Sequence, residues 1–377
     1  MRTTIGMMFG IEFPIVAFSH CRDVVAAVTN AGGLGVLGAA MLSPERLEIE
    51  LRELVKQVDG RPFGVDVVMP AKQRHTEQPV DHEALLRSFS EMIPQTHTAY
   101  VEKILAEHGV HQLDDADAEL MDARGMTSEG TGALLDVVFR YPVALLVNAL
   151  GPMPPHVVER ARAEGIRTAG LVGSARHAVK QVENGVDVIV AQGTEAGGHC
   201  GEIATMVLTP EVVDAVAPVP VLAAGGIGTG RQVAAALALG AAGVWTGSIW
   251  LTCAESDVRP AIMANLLAAG SGDTVRSRAM SGKPCRQLRT AWTEAWDSSE
   301  SPGPLEVPLQ SILYAPVKER VTRGAGVPAL AGEAVGQIVG SMNTVRSARE
   351  IIYDLVSGTV EAAERLSALT SGLGSED

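Results

Sequence analysis

The sequence is poor in cysteine and in aromatic residues. Only four cysteines occur among the 377 residues, and no two of them form a C-x-x-C pair. Neither a disulfide framework nor a zinc site is therefore expected, and we predict no bound metal. Aromatic residues make up 4% of the chain, whereas glycine occurs 40 times. This supply of small residues is typical of α/β proteins, in which helices pack closely on a buried sheet.

Long apolar runs and excess positive charge are also missing. The chain has no apolar stretch long enough to cross a membrane, and residues 1–14 lack the pattern of a signal peptide. The net charge of −14 disfavours binding to phosphate backbones or to an anionic membrane surface. We therefore expect a cytoplasmic globular protein whose partners include neither nucleic acid nor a membrane. The sequence leaves the oligomeric state open, a homo-oligomer included.

The chain does contain a repeated alternation of short apolar runs and helical segments. Continuous apolar runs are typical of parallel strands that are buried on both faces. Eight such runs occur, at residues 14–20, 34–40, 62–70, 143–150, 166–173, 187–193, 219–226 and 241–249. Helical segments lie between them, and one opens with Ser43 as N-cap and Pro44 as first helical residue.

Eight strands with intervening helices predict a (β/α)8 TIM barrel, although strand counting alone leaves a doubly wound sheet open. The connection at 71–142 is too long for a single crossover helix. We divide the chain into a barrel formed by residues 1–70 and 125–255, a helical lid inserted after strand 3 at 71–124, a cap region at 256–330, and a C-terminal helical segment at 331–377 that packs on the barrel. Within that last segment, the sequence pattern over 331–358 predicts one long helix.

Glycine-rich turns follow the seventh and eighth predicted strands. Gly225 and Gly226 end the seventh, and Gly247 and Ser248 end the eighth. This is the usual place for a phosphate in a TIM barrel, because glycine lets backbone N–H groups approach an anion. The alternative is that these residues only form tight turns. No G-x-G-x-x-G fingerprint and no P-loop occur.

Two polar side chains stand where the sixth strand ends. Gln192 can both donate and accept hydrogen bonds, which suits the edge of a heterocyclic ring. His199 follows on a glycine-rich loop, where an imidazole could act as an acid or a base near neutral pH. The alternative for His199 is a cap or a packing role. The predicted position of His199 at the barrel mouth favours the role of an acid or a base.

These motifs resemble the nitronate monooxygenase family. The resemblance rests on AQGTEAGGHCGE, VLAAGGIGTGRQVAAALALGAAGVWTGSIWLTCAES and NAGGLGVLGAA, and it covers most of residues 10–255 and, more loosely, 256–295. The relatives of that family include enoyl-acyl-carrier-protein reductases and NAD(P)H:quinone reductases. All are TIM barrels that bind FMN, so the resemblance implies FMN as the cofactor here.

The resemblance also implies particular roles. His199 would be the catalytic residue and would contact the substrate. The cofactor-binding positions would be Asp66, Gln192, Gly193, Gly197, Gly225, Gly226, Trp245, Thr246, Gly247 and Ser248. Two positions depart from the family pattern. Asp66 stands where family members usually have asparagine, and His20 at the end of strand 1 can enter the pocket and contact the substrate.

The implied reaction is the oxidation of an alkyl nitronate, or of a nitroalkane, by O2 to a carbonyl compound and nitrite. A second hypothesis is an FMN-dependent reductase that takes electrons from NAD(P)H and passes them to an enoyl thioester or a quinone. A cationic run keeps it open, formed by Arg276, Arg278, Lys283, Arg286 and Arg289. The simpler interpretation of this run is a solvated face paired with acidic neighbours. A non-enzymatic flavin-binding protein is a third class.

Other polar residues are given structural roles. Cys200 is adjacent to His199, but no partner for a nucleophilic cysteine can be placed from the sequence, so we predict a structural residue. The histidines of the insertion show no metal-ligand spacing and are predicted to be solvated. They are His75, His82, His97, His108 and His111.

Overall fold

The computed structural model of the chain is a closed barrel of eight parallel strands. It describes residues 1, 3–40, 42–69, 82–110, 128–323 and 326–371. The barrel strands are β1 (Ile15–Ser19), β2 (Leu34–Gly38), β3 (Gly64–Asp66), β4 (Leu145–Asn148), β5 (Arg167–Val172), β6 (Val188–Gln192), β7 (Val221–Ala224) and β8 (Gly243–Thr246). Each lies within one of the eight predicted runs, so the predicted TIM barrel is confirmed.

The barrel closes because β1 pairs with β8 as well as with β2. Val16 lies opposite Trp245 on one side and Leu34 on the other. Side chains that point inward fill the barrel, among them Val16, Trp245 and Leu145, while neighbours such as Ala17 pack outward against helices. Both faces are therefore buried, which explains why the strands are continuous apolar runs.

The helices of the described residues alternate with these strands. They are α1 (Thr4–Phe9), α2 (Arg22–Asn30), α3 (Pro44–Val58), α4 (His82–Glu91), α5 (Gln95–Glu107), α6 (Ser128–Val138), α7 (Pro155–Ala163), α8 (Ala175–Glu183), α9 (Thr205–Val216), α10 (Gly230–Ala238), α11 (Pro260–Ala268), α12 (Ala291–Asp297), α13 (Leu309–Thr322) and α14 (Ala348–Thr370). The Ser43 side chain accepts a hydrogen bond from Arg46 N, and Pro44 opens α3, as predicted. Within the described ranges, no helix has the length and apolar character required to span a bilayer.

The insertion packs against the cap region. Val101 and Ile104 of α5 share an apolar cluster with Trp292 and Trp296 of α12 and with residues of α13. Outside this cluster, the cap contributes an antiparallel hairpin of β9 (Thr274–Ser277) and β10 (Cys285–Leu288). That the insertion forms a lid over the barrel mouth stays a prediction.

One histidine of the insertion is buried, contrary to our prediction of solvation. His97 is 8% exposed, its Nε2 is 3.0 Å from the carbonyl oxygen of Gly303, and its ring stacks on Trp296. His97 therefore fastens α5 to the cap. His108 is half-buried, with Nδ1 2.9 Å from the carbonyl oxygen of Ile104. His75, His111 and the side chain of His82 lie outside the described residues.

The long helix predicted over 331–358 begins much later. Residues 331–347 are not α-helical and contain only a 3-10 turn at Gln337–Ser341, whereas α14 begins at Ala348. Helix α14 contacts both α10 and α2, which is the position of the eighth helix of a TIM barrel. Gly230 and Gly358 meet there without side chains, since a Cβ atom on Gly230 would lie 2.3 Å from the carbonyl carbon of Gly358.

Candidate functional site

The turns after β7 and β8 present free backbone donors at the barrel mouth. The N–H groups of Gly226, Ile227 and Gly247 donate to no acceptor within the described part of the chain. Gly226 has φ +67°, a conformation that favours glycine. Several unsatisfied N–H groups at the ends of two adjacent strands are the chemistry expected of a phosphate site. The turns that the sequence predicted are therefore equipped to bind an anion.

Glu195 and Thr205 hold the first of these turns in place, and neither residue was predicted from the sequence. The Glu195 carboxylate accepts hydrogen bonds from Thr205 N at 2.9 Å and from Thr205 Oγ1 at 2.9 Å. It thereby caps the start of α9. Thr205 Oγ1 also lies 3.0 Å from the carbonyl oxygen of Gly225, and a Cβ atom on Gly193 would be 2.1 Å from the same hydroxyl. Gly193 therefore permits this close packing beside the turn.

The C-terminal chain crosses the second turn. Gly336 N donates to Ser248 Oγ at 2.8 Å, and Gln337 N donates to the carbonyl oxygen of Glu195 at 2.9 Å. A Cβ atom on Gly197 would lie 2.8 Å from Gly336 N. Gly197 thus makes room for this crossing chain. Because 331–347 was predicted to be helical, the sequence did not place it at the site.

Trp245 and Thr246 are occupied by the barrel itself. Trp245 is 6% exposed and stacks on Phe18, with ring centroids 6.1 Å apart. Thr246 Oγ1 donates to the carbonyl oxygen of Val16 and accepts from Trp250 Nε1 at 3.0 Å. A contact between these two positions and a cofactor would therefore use their backbone atoms.

Asp66 ends β3 as a buried carboxyl group beside the end of β4. It is 3% exposed, and Ala149 N donates to its Oδ1 at 3.2 Å. Burial raises the pKa of Asp66 to about 7, because desolvation disfavours the carboxylate more than this hydrogen bond favours it. A protonated carboxyl group can donate a hydrogen bond, as a carboxamide does. Asp66 can therefore fill that role in part of the molecules near neutral pH.

Gln192 and His199 line one cavity of about 280 Å³ at the barrel mouth. Its apolar wall includes Ala149 and Leu150, and its far side carries Arg276 and Lys283 of the cap hairpin. The structure therefore brings the predicted glutamine and histidine together. Such a combination of an apolar wall and a few convergent polar groups is typical of a small-molecule site.

His199 is held by the cap hairpin. Its Nε2 is 2.8 Å from Ser281 Oγ, between β9 and β10. The preceding Gly198 forms a two-way backbone bridge with Arg286, with N···O distances of 2.9 and 2.8 Å. Partial desolvation lowers the pKa of His199, and the nearby positive charge of Lys283 lowers it further. Both effects favour the neutral imidazole, which can accept a proton.

His20 lies elsewhere at the mouth, at the end of β1. Its Nδ1 is 3.0 Å from the carbonyl oxygen of Gly38, so this nitrogen carries the proton and donates. The ring is exposed and stands edge-on to Phe18. Among the described residues that line the cavity of His199, His20 is not included. The structure therefore does not join the two histidines in one cavity.

The thiol of Cys200 makes a long contact. Its Sγ lies 3.5 Å from the carbonyl oxygen of Thr194, and burial raises the pKa of its thiol. A thiol that stays protonated is a poor nucleophile, in keeping with the structural role that we predicted.

The cationic run divides into residues with different roles. Arg278 pairs with exposed Glu306 at 2.6 Å, as the simpler interpretation predicted. Arg286 is buried and donates to the carbonyl oxygen of Thr194 at 2.7 Å. Arg276 and Lys283 instead face the cavity. Lys283 has no carboxylate partner in the described ranges, and Nε of Arg276 is buried without a hydrogen-bond acceptor there.

Comparisons with known proteins agree with this geometry. A sequence model of the family described as nitronate monooxygenase matches residues 3–358. A candidate monooxygenase of Mycobacterium tuberculosis, Rv1533, is 50% identical over 376 residues, which cover 98% of this chain and 99% of that protein.

Solved structures are similar as well. The nitroalkane oxidase of Streptomyces ansochromogenes is 28% identical, with a TM-score of 0.76 over 95% of this chain and 98% of its own. FabK of Thermotoga maritima is 26% identical, with a TM-score of 0.73 over 98% of this chain and 99% of its own. The fold and the site thus define a flavin-dependent TIM-barrel oxidoreductase acting on a small molecule. The match over nearly the whole length shows that the chain belongs to the nitronate monooxygenase family, whose chemistry is the oxidation of nitro compounds.

Proposed function

We propose that the protein binds FMN and uses O2 to oxidise alkyl nitronates to a carbonyl compound and nitrite. The observation that carries this proposal is the common location of two groups of residues. The free N–H groups of the turns after β7 and β8 suit the FMN phosphate. The cavity of Gln192 and His199 lies at the same end of the barrel and suits a small substrate.

FMN would supply the redox chemistry, and the protein would position it and the substrate. The Gln192 amide is half-buried in the cavity wall and could donate to or accept from the edge of the flavin ring. The Asp66 carboxyl group at the end of β3 would be a second polar contact. The apolar wall at Ala149 and Leu150 would keep water from the reacting carbon.

His199 would handle the proton. With a neutral nitroalkane, its unprotonated imidazole would remove the proton from the carbon that bears the nitro group. With a preformed nitronate, the same residue would only contact the anionic nitro oxygens. In the balanced overall reaction, two nitronates and one O2 give two carbonyl compounds and two nitrite ions: in each nitronate the C–N bond breaks, nitrite leaves, and one oxygen atom of O2 becomes the carbonyl oxygen.

The test combines cofactor analysis with turnover. Heat-released cofactor from the purified protein should be FMN by chromatography, at one per chain. Aerobic incubation with propionate 3-nitronate should consume O2 and release nitrite. Protein that stays colourless after reconstitution with FMN, or coloured protein that releases no nitrite from any nitronate, would contradict the proposal.

A reductase driven by NAD(P)H is a second candidate, and the cavity gives it specific support. Arg276 and Lys283 line the cavity without a close carboxylate partner among the described residues, where Arg276 reaches Glu202 at 3.7 Å. Such a pair could receive a phosphate of the dinucleotide. FabK of Thermotoga maritima also shares the fold.

NADH consumption with quinone and without nitroalkane distinguishes this candidate. If it is correct, Arg276→Gln should raise the KM for the dinucleotide about tenfold, the size expected for a charge-assisted contact. Arg289→Gln removes the same charge from an exposed position of the same run and should leave the KM unchanged. Absence of NADH oxidation above the rate of free flavin would exclude the reductase.

A further inference from the structure

Ser281 makes three hydrogen-bond contacts through one hydroxyl group. Ser281 Oγ lies 2.8 Å from His199 Nε2, 3.2 Å from the carbonyl oxygen of Lys283 and 3.4 Å from Lys283 N. The carbonyl oxygen can only accept, so all three contacts can be hydrogen bonds at the same time only if the single hydroxyl proton of Ser281 goes to this oxygen. The oxygen of Ser281 is then left as an acceptor toward its other two neighbours.

This assignment fixes the protonation pattern of His199. If Ser281 Oγ accepts, His199 Nε2 must carry a proton and donate it. In a neutral imidazole, the other nitrogen then carries a lone pair. We propose that Ser281 is a positioning residue that holds His199 as the Nε2–H tautomer, so that Nδ1 is the atom that takes the proton from the substrate. The proposal rests on the proposed function only for the identity of that substrate.

Contacts between the loop of His199 and the cap hairpin keep His199 next to Ser281. The backbone bridge between Gly198 and Arg286 ties the loop of His199 to strand β10. Ser281 sits in the turn of the same hairpin, between β9 and β10. The loop of His199 is therefore joined to the hairpin by both the backbone bridge and the contact with Ser281.

The charges that face His199 favour the neutral imidazole that the proposal requires. Lys283 and Arg276 line the same cavity, and a further positive charge beside them is unfavourable. Desolvation lowers the pKa of His199, and the positive charge of Lys283 lowers it further. A neutral imidazole has one donor and one acceptor nitrogen, so the partner of one nitrogen decides the role of the other.

The direct test is nuclear magnetic resonance of protein labelled with ¹⁵N-histidine, with and without FMN. His199→Asn assigns the signals of this residue. We expect Nε2 of His199 to show a protonated nitrogen and Nδ1 an unprotonated one at pH 8. In Ser281→Ala the two signals should move toward an average of both tautomers, and Ser281→Thr should retain the wild-type pattern. A wild-type spectrum with the proton on Nδ1, or one unaffected by Ser281→Ala, would overturn the proposal.

The kinetic test separates positioning from a purely structural role. Ser281→Ala should lower kcat/KM about fivefold for a neutral nitroalkane, the factor expected for one lost hydrogen bond, and should shift its pH profile. The preformed nitronate should be affected less than twofold, because no proton is removed from it. Ser90→Ala, at an exposed position of α4, is the matched control and should change neither rate. Equal losses for both substrates would overturn the positioning role.

Failure of the proposed function and failure of the proposal for Ser281 give different results in the NMR and kinetic tests. If wild-type protein turns over neither substrate, the proposed function fails, while the tautomer of His199 is still decided by the labelled spectra. If turnover is normal and Ser281→Ala behaves as wild type in both arms, the proposed function stands and the role of Ser281 is rejected.

Discussion

Ala149 and Asp66 connect the ends of two barrel strands through one hydrogen bond, in which Ala149 N donates to Asp66 Oδ1 at 3.2 Å. The bond joins the residue after β4 to the last residue of β3, at the end of the barrel that holds Gln192 and His199. One backbone donor does not offset the burial of this carboxyl group, and the pKa of Asp66 therefore rises to about 7. Two predictions follow from that balance.

The first concerns the dependence of stability on pH. Between about pH 4 and pH 7 the folded protein keeps the proton on Asp66, whereas the unfolded chain releases it. Stability from this group is therefore complete at low pH and falls as pH rises, by about 1.4 kcal/mol per pH unit within that window. In FMN-free protein, Asp66→Asn should remove this fall, so that the variant exceeds wild type in Tm at pH 8.

The control for this measurement is Asp59→Asn, which changes an exposed aspartate in the same way. Its Tm should follow wild type across the whole range, because Asp59 is exposed and its carboxyl group is not removed from water on folding. Parallel Tm curves for wild type and Asp66→Asn between pH 4 and pH 8 would show that Asp66 is ionised throughout the folded state.

The second concerns the reduction potential of the bound flavin. At pH 8.5 the ionised Asp66 should repel the reduced, anionic cofactor, so Asp66→Asn should raise the potential there. At pH 5.5 the carboxyl group is protonated, and the two proteins should have nearly equal potentials. Dye-equilibrated reduction at the two pH values measures the difference. A difference that is the same at both values would mean that charge on Asp66 is not its cause.

The strands were predictable because most of their residues are buried on both faces, so that a stretch such as 188–191 is apolar throughout. The non-helical path of the chain at 331–347 was not predictable. Gly332, Gly336 and Gly340 recur every fourth residue and imitate a helical period, yet two of them serve close contact between chain segments. A Cβ atom on Gly336 would lie 2.5 Å from the carbonyl oxygen of Glu195.

The candidate site likewise contains some residues that the sequence predicts and others that it does not. Gln192 and the glycine turns follow directly from the positions of strand ends, which sequence patterns reveal. Ser281 lies 82 positions after His199, and no local spacing connects them. The contact between Glu195 and Thr205 likewise depends on the path of a loop. Such tertiary contacts are set by packing of the cap and the loop and leave no periodic signal in the sequence.

Gly226 offers a test of the phosphate turn. Gly226→Ala should weaken FMN binding, because an alanine disfavours the φ of +67° that aims the neighbouring N–H groups. The Cβ atom would also come within 3.3 Å of Glu195 Cβ. We expect a rise in the Kd for FMN of about tenfold or more, measured by quenching of flavin fluorescence.

Gly60 supplies the matched control for that measurement. It has φ +76° and open space around its added Cβ, in the connection between α3 and β3. Gly60→Ala therefore meets the same backbone cost without touching the site. An equal change in the Kd for FMN in both variants would mean that general strain, and not the phosphate turn, weakens binding.

His199 gives the most decisive prediction about catalysis. General-base catalysis contributes about 10² to 10⁴ in rate, so His199→Asn should lose a factor in that range with a neutral nitroalkane. The loss should be much smaller with a preformed nitronate, which has no proton to give up. FMN content should stay normal, because Gln192 and the phosphate turns are unchanged. Stopped-flow reduction of the flavin under anaerobic conditions measures both substrates in one protein sample.

His20→Asn is the comparison, since His20 also ends a strand at the mouth but does not line the cavity of His199. We expect this variant to change both rates by a similar, small factor. The reverse pattern, a large and nitroalkane-selective loss in His20→Asn with little effect in His199→Asn, would assign the base to strand β1. Equal modest losses for both substrates in His199→Asn would reduce His199 to a residue that orients the bound anion, because only proton removal distinguishes the two substrates.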